Sequence, residues 1–241
     1  SHCEAKREPS TSARRSASSR VTWRSISPGR ESRPASAMRS NSASGADADR
    51  GREVPNTVGT RFALASGAKG FTALVVMSLV EDGSLALDTT AHSVLGDDLP
   101  LIDGAVTVEH LLAHRSGIGD YLDEDNGGFV VLALIAERAS GEPFHRLVAE
   151  RVCEPAGVRD TGYLRSDELP GDAALGYLWT DRPRTNVFHL PVRGTGDGGI
   201  YSTAADLSRF WEALFAGQIV SVDRIMGPPQ QGQRLVTVSV A

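Results

Sequence analysis

Ser66 and Lys69 stand three residues apart in "ASGAKG" (65–70), and their types and spacing suit acyl-transfer chemistry. If they open a helix, both side chains lie on one face within mutual reach. The first turn of a helix also presents free amide donors and a partial positive charge beside the serine oxygen. A hydroxyl, an amine able to act as a base, and donors for a developing oxyanion are what a serine nucleophile needs. The lysine is itself unusual, because of 25 basic residues only Lys6 and Lys69 are lysines. An amine can give up its proton and take another's, whereas a guanidinium stays charged. On these residues alone a plainer assignment stands beside the catalytic one, with Ser66 only a helix N-cap and Lys69 reaching outward to solvent.

The elements that must position this pair can be read from pattern. "TRFALASG" (60–67) is a short strand or extended entry into a helix that starts near Ser66 and runs through Leu74, Val75, Val76, Met77, Leu79 and Val80 to a stop at Asp82-Gly83. Apolar on nearly every face, that helix is expected to be buried and central. Residues 107–117 predict a second helix with a threonine cap and a glycine stop, and residues 127–141 a third. A fourth occupies 142–152, and a fifth 202–217, where Thr203 and Asp206 are spaced as a capping box. Short β-like pieces, such as 186–192 and 234–240, fall between the helices without regular alternation. The pattern predicts an α+β fold rather than a doubly wound sheet.

Composition limits the function classes. Residues 1–50 hold 13 serines and 9 arginines but no leucine, too little apolar surface to offset chain entropy, and are expected to form a disordered tail. The folded domain is then expected over 51–241. That first segment carries ten Lys/Arg against five Asp/Glu, and the remainder fifteen against twenty-five, so the folded part is acidic and nucleic acid is not its expected partner. No apolar run is long enough for a membrane span, and no signal-peptide pattern opens the chain, which leaves a cytoplasmic protein or one secreted with its true N-terminus missing. Cys3 and Cys153 define neither a disulfide framework nor a metal site.

Three other features carry residue types that could do chemistry. "GTGDGG" (194–199) satisfies Gly-x-Gly-x-x-Gly, but a dinucleotide loop requires the helix to open within the motif, and here Ile200-Tyr201 intervene. It reads as a glycine-rich structural connection. His110 and His114 have the i, i+4 spacing of metal ligands, yet Leu111, Leu112 and Ala113 between them supply no acid, and a structural role is expected. Glu142, Asp160 and Asp197 are isolated acids near turns, expected as caps or solvated charges.

The stretch "FALASGAKGFTALVVMSLVEDGSLALDTT", followed by "LLAHRSGIGDY", "GGFVVLALIAERASGEPF", "VCEPAGVRDTGY" and "GTGDGGIYSTAADLSRFWEAL", resembles the serine β-lactamase and penicillin-binding-protein family. The likeness is to its class C β-lactamase, D-alanyl-D-alanine carboxypeptidase and esterase branch and covers most of residues 50–217. It implies a β-lactamase/transpeptidase-like fold, with a helical subdomain packed on an antiparallel sheet. The family's Ser-x-x-Lys motif falls on Ser66-Gly67-Ala68-Lys69. What the resemblance implies is Ser66 as nucleophile, Lys69 as its base, no cofactor, no metal, and a small-molecule or peptide acyl substrate. The family's Tyr-x-Asn motif aligns with Glu124-Asp125-Asn126, so Asn126 is the implied substrate-binding residue and Glu124 replaces the tyrosine. Neither Lys-Thr-Gly nor His-x-Gly, the family's third motif, occurs. The sequence therefore reads as a truncated or rearranged member with an incomplete sheet. Two functions follow from it: a serine hydrolase acting on an ester, amide or β-lactam carbonyl, or a catalytically inactive fragment serving as a binding module.

Overall fold

A computed structural model describes residues 47–118 and 127–223. Its centre is α1 (Ala68–Glu81), which buries Phe71, Leu74, Val75, Val76 and Leu79. Because the apolar residues of this helix are spread around its circumference, it needs neighbours on several sides. α4 (Gly127–Ser140) packs along it with Phe129, Leu132 and Ile135 fully buried, and α5 (Phe144–Val148) packs beside it. Each large side chain so buried contributes about 1.5–3 kcal/mol. α2 (Ala91–Leu95), capped by the Thr90 hydroxyl, and α3 (Val108–Leu112) close the far side of α4.

The sheet on which these helices rest is small. β3 (Phe62–Ala63) and β4 (Gly162–Tyr163) flank β5 (Ile200–Ser202), all antiparallel, with Phe62 opposite Ser202 and Tyr163 opposite Ile200. This arrangement of helices with short antiparallel strands is the expected α+β class. A separate two-stranded ribbon pairs β1 (Asp47–Asp49) with β2 (Val54–Pro55). The tail boundary expected at residue 50 thus falls inside a hairpin. Asp49 Oδ1 accepts from the amides of Gly51 and Arg52 to make the turn, and the Tyr177 hydroxyl accepts from Arg50 N at 2.6 Å. The Tyr177–Arg50 bond joins residues 127 apart in the chain, which local composition does not register.

Several expected boundaries move for local reasons. The helix expected over 107–117 ends at Leu112, because His114 adopts a left-handed conformation with φ of 53°. The expected strand at 186–192 is a 3-10 turn, Val187–His189. The fourth helix changes pitch: after α5, Ala149–Cys153 forms a π-helix, with Glu154 N donating to the Ala149 carbonyl at 2.9 Å. The expected strand over 234–240 lies outside the described residues. No helix among the described residues is long and apolar enough to cross a membrane.

α6 (Ala204–Phe215) is capped by Thr203, whose hydroxyl accepts from Asp206 N at 3.1 Å. The expected reciprocal half of a capping box is absent, because the Asp206 carboxylate is turned into the protein. It is completely buried and accepts from Asp160 N at 2.7 Å, the Thr161 hydroxyl at 3.0 Å and the Arg209 guanidinium at 2.8 Å. One side chain thereby ties α6 to the segment entering β4. Asp206→Ala leaves the Asp160 amide without its acceptor and lowers unfolding free energy by about 1–3 kcal/mol. The expected readout is a lower urea midpoint with an unchanged slope.

Candidate active site

The chain leaves β3 at Ala63, passes through a 3-10 turn at Ala65–Gly67, and enters α1 at Ala68. Ser66 sits in the middle of that turn. Ala65, immediately before it, has φ of 45°, a left-handed conformation disfavoured for any residue with a Cβ. The backbone is held there from both sides: Leu64 N donates to the Ile200 carbonyl and Gly67 N to the Leu64 carbonyl, each at 2.8 Å. The strain therefore resides at the residue that aims Ser66.

Neither half of the plainer assignment of Ser66 and Lys69 describes this geometry. Neither the 3-10 turn nor α1 has a side-chain N-cap hydrogen bond, so Ser66 is not serving as a cap. Lys69 is only 8% exposed and does not extend into solvent. Its ammonium donates to Ser66 Oγ at 3.4 Å and lies 5.8 Å from the centroid of the Phe129 ring. Phe129 belongs to α4, so the wall of the amine's pocket comes from a second helix. Burying an amine is costly in an apolar setting, and here it is done beside a hydroxyl.

The glycine run at 194–199 lies against the same turn. Thr195 N donates to the Gly198 carbonyl at 3.0 Å, and Gly199 has φ of 90°, closing a tight turn. A Cβ on Gly198 would stand 3.6 Å from the Ala65 carbonyl oxygen, while one on Gly196 would overlap the Phe129 carbonyl and Ala133. Thr72, one turn beyond Lys69, donates its hydroxyl to the Gly196 carbonyl at 2.6 Å. The run is a packing device between α1 and α4. Phe129 and Thr72 were not singled out from sequence; the only signal was a threonine three residues after Lys69 on the same helix face.

Asn126, expected to hold substrate, and Glu124 beside it lie outside the described residues. His110 and His114, spaced like metal ligands, take separate tasks: His110 Nδ1 accepts from Thr107 N in a capping box, and His114, beyond the helix end, lies against the Phe129 ring with 5.0 Å between centroids. Cys153 is buried, which pushes its thiol up to about 12, so it is not a nucleophile near neutral pH. Among the described residues no group of three or more His, Cys, Asp or Glu side chains is arranged to hold a metal ion.

The chain carrying the serine-lysine pair resembles known proteins over most of its length. A family model described as Beta-lactamase matches residues 35–235. The chain belongs to the Beta-lactamase family. It is 30% identical over 200 residues to penicillin-binding protein 4 of Amycolatopsis lactamdurans, covering 67% of this chain and 52% of that one. It is 28% identical over 238 residues to esterase EstB of Burkholderia gladioli, covering 70% of this chain and 60% of that one. Among solved structures, a penicillin-binding protein from Bacillus halodurans superposes with a TM-score of 0.70 at 32% identity, covering 77% of this chain and 70% of that one. FmtA from Staphylococcus aureus, at 19% identity and a TM-score of 0.64, shows the same fold. The chain spans about half the length of such curated Beta-lactamase-family relatives as penicillin-binding protein PbpX and penicillin-binding protein 4* of Bacillus subtilis, at 51% and 48%.

Because Gly196 has no room for a methyl group, Gly196→Ala is expected to force α1 and α4 apart and destabilise the protein by about 1–3 kcal/mol. The check is a thermal or urea unfolding curve, with Gly70→Ala, where a Cβ meets nothing within 4 Å, as the tolerated control.

Proposed function

We propose that this chain is a serine hydrolase that acts on an ester, amide or β-lactam carbonyl through an acyl-enzyme on Ser66. The observation that carries the reading is a buried Lys69 whose amine lies 3.4 Å from Ser66 Oγ. In its neutral form the amine takes the Oγ proton as the oxygen attacks the substrate carbonyl. The oxyanion that forms lies at the head of α1, where the Ser66 amide and the helix dipole favour negative charge. Collapse expels the leaving group, which takes the proton back from Lys69, and leaves an ester on Ser66. Water then attacks that ester with Lys69 again as base, and the acid is released. Ala65, held in its left-handed conformation, keeps Oγ aimed through both steps.

Support for the reaction class comes from relatives whose names include an esterase, penicillin-binding proteins and a D-aminopeptidase. All of them cleave or engage acyl groups by name, and the chemistry shared among ester, amide and β-lactam is attack at a carbonyl. Asn126, directly before α4, is the proposed substrate-holding residue. The reading as an inactive binding module rests on Glu124 in place of the family's tyrosine.

The test is intact-protein mass after incubation with a fluorophosphonate and, separately, with a penicillin. A one-to-one adduct is expected, lost in Ser66→Ala and formed more slowly by a factor of about 100 or more in Lys69→Arg, since the guanidinium cannot act as the base. A folded, monomeric sample that forms no adduct with either reagent overturns the hydrolase reading and leaves the binding module.

A further inference from the structure

The turn that carries Ser66 leans on the glycine run, and the run is gripped at its start by His145 of α5. Gly194 lies so close to the far end of the run that a Cβ on it would overlap the Gly198 carbonyl oxygen and the Gly199 α-carbon. Gly198 stands beside the Ala65 carbonyl, and two residues on the Ile200 carbonyl accepts from Leu64 N at 2.8 Å. Ala65 is the left-handed residue that precedes Ser66. From Gly194 to the serine the contact is backbone against backbone, and in a packed interior a shift at one end of such a path is felt at the other.

His145 holds the outer end of that path. Its Nε2 lies 2.7 Å from the Gly194 carbonyl oxygen. A carbonyl can only accept, so Nε2 carries the hydrogen and donates it. Burial lowers the imidazole below its ordinary range, which near neutral pH leaves the ring uncharged with Nδ1 unprotonated. Two contacts set where the ring stands. It packs on the Tyr163 ring of β4 with 4.8 Å between centroids, and the helix that bears it is pinned at its first residue, where Phe144 N donates to the Glu137 carboxylate of α4 at 2.7 Å. An apolar side chain could fill the same slot against Tyr163, but the grip on the Gly194 carbonyl needs a donor with this reach.

We propose that His145 is a positioning residue for the reaction at Ser66: its Nε2–H holds the Gly194 carbonyl and, through Gly194, Gly198 and Ala65, fixes the place of Ser66 Oγ. The proposal rests on Ser66 being the nucleophile. His145 touches no substrate in this role and transfers no proton. Reaction rates fall steeply as reacting groups are misplaced, an error of one ångström costing about 100-fold, so loss of the grip is expected to slow acylation by about tenfold or more.

The experiment measures the second-order rate of fluorophosphonate labelling of the full chain, with a urea unfolding curve for each variant. His145→Gln keeps a donor at the position of Nε2 and is expected to label within about threefold of the unsubstituted chain. His145→Leu fills the slot without a donor, and His145→Asn keeps an amide that falls short of Gly194; both are expected to label about tenfold or more slowly while still folded. If the leucine variant does not fold, the asparagine variant carries the test. The backbone amide shifts of Ala65, Ser66 and Gly198 are expected to divide the variants in the same way. A merely structural role predicts rates that track the unfolding midpoints and do not separate glutamine from asparagine. Labelling of the asparagine variant at the unsubstituted rate, or of the glutamine variant as slowly as asparagine, overturns the proposal. An unsubstituted chain that takes no label overturns the hydrolase reading, and this proposal with it.

Discussion

Between α1 and α4 there is room for a strand of backbone and none for a side chain, and the placement of the serine-lysine pair depends on that clearance. Gly196 occupies it, its carbonyl held by the Thr72 hydroxyl and its α-carbon against the Phe129 carbonyl and Ala133. Because packed interiors tolerate little volume change, a side chain there would move Phe129, which walls Lys69, and the turn that carries Ser66. Gly194 is fixed in turn by a 2.7 Å hydrogen bond between its carbonyl and His145 Nε2. The glycine run therefore links three helices to one turn.

That linkage explains how a strained residue persists. A left-handed alanine costs on the order of 1–3 kcal/mol, and Ala65 retains it because the neighbouring Leu64 amide is paired to β5 and the Ala65 carbonyl has Gly198 beside it. Lys69 is likewise kept out of water by its surroundings, with Phe129 on one side and Ser66 on the other. The aliphatic and aromatic contacts of α1 and α4 supply the stability against which both costs are set.

A second polar centre stands on the opposite side of β5. Asp206 gathers the Asp160 amide, Thr161 and Arg209, and Thr161 in turn bonds Ser202 at 2.8 Å, so the short β4–β5 pairing is anchored by side chains. Two-residue strands have little pairing energy of their own, and the buried carboxylate offsets that weakness. The expected capping box failed for this reason: the Asp206 side chain had more donors within the protein than at its own helix end.

Much of the fold was legible in the sequence. The all-round apolar character of 68–81, the apolar run of 127–140 and the threonine caps at 107 and 203 specify helices through interactions within a few residues, and membership of the Beta-lactamase family follows from the same stretches. The spacing of Ser66 and Lys69 likewise determines that their side chains meet, because a helical turn brings positions three apart onto one face. What only the tertiary structure decided was everything set by contacts across long separations. The hairpin at 47–55 hangs on Tyr177, Lys69 is walled by Phe129, and the glycine run was recognisable as a wedge only once α1 and α4 were placed around it. Local pattern records what a residue's neighbours in the chain require of it, and the cost of burying charge or removing a Cβ is set by neighbours that only folding supplies.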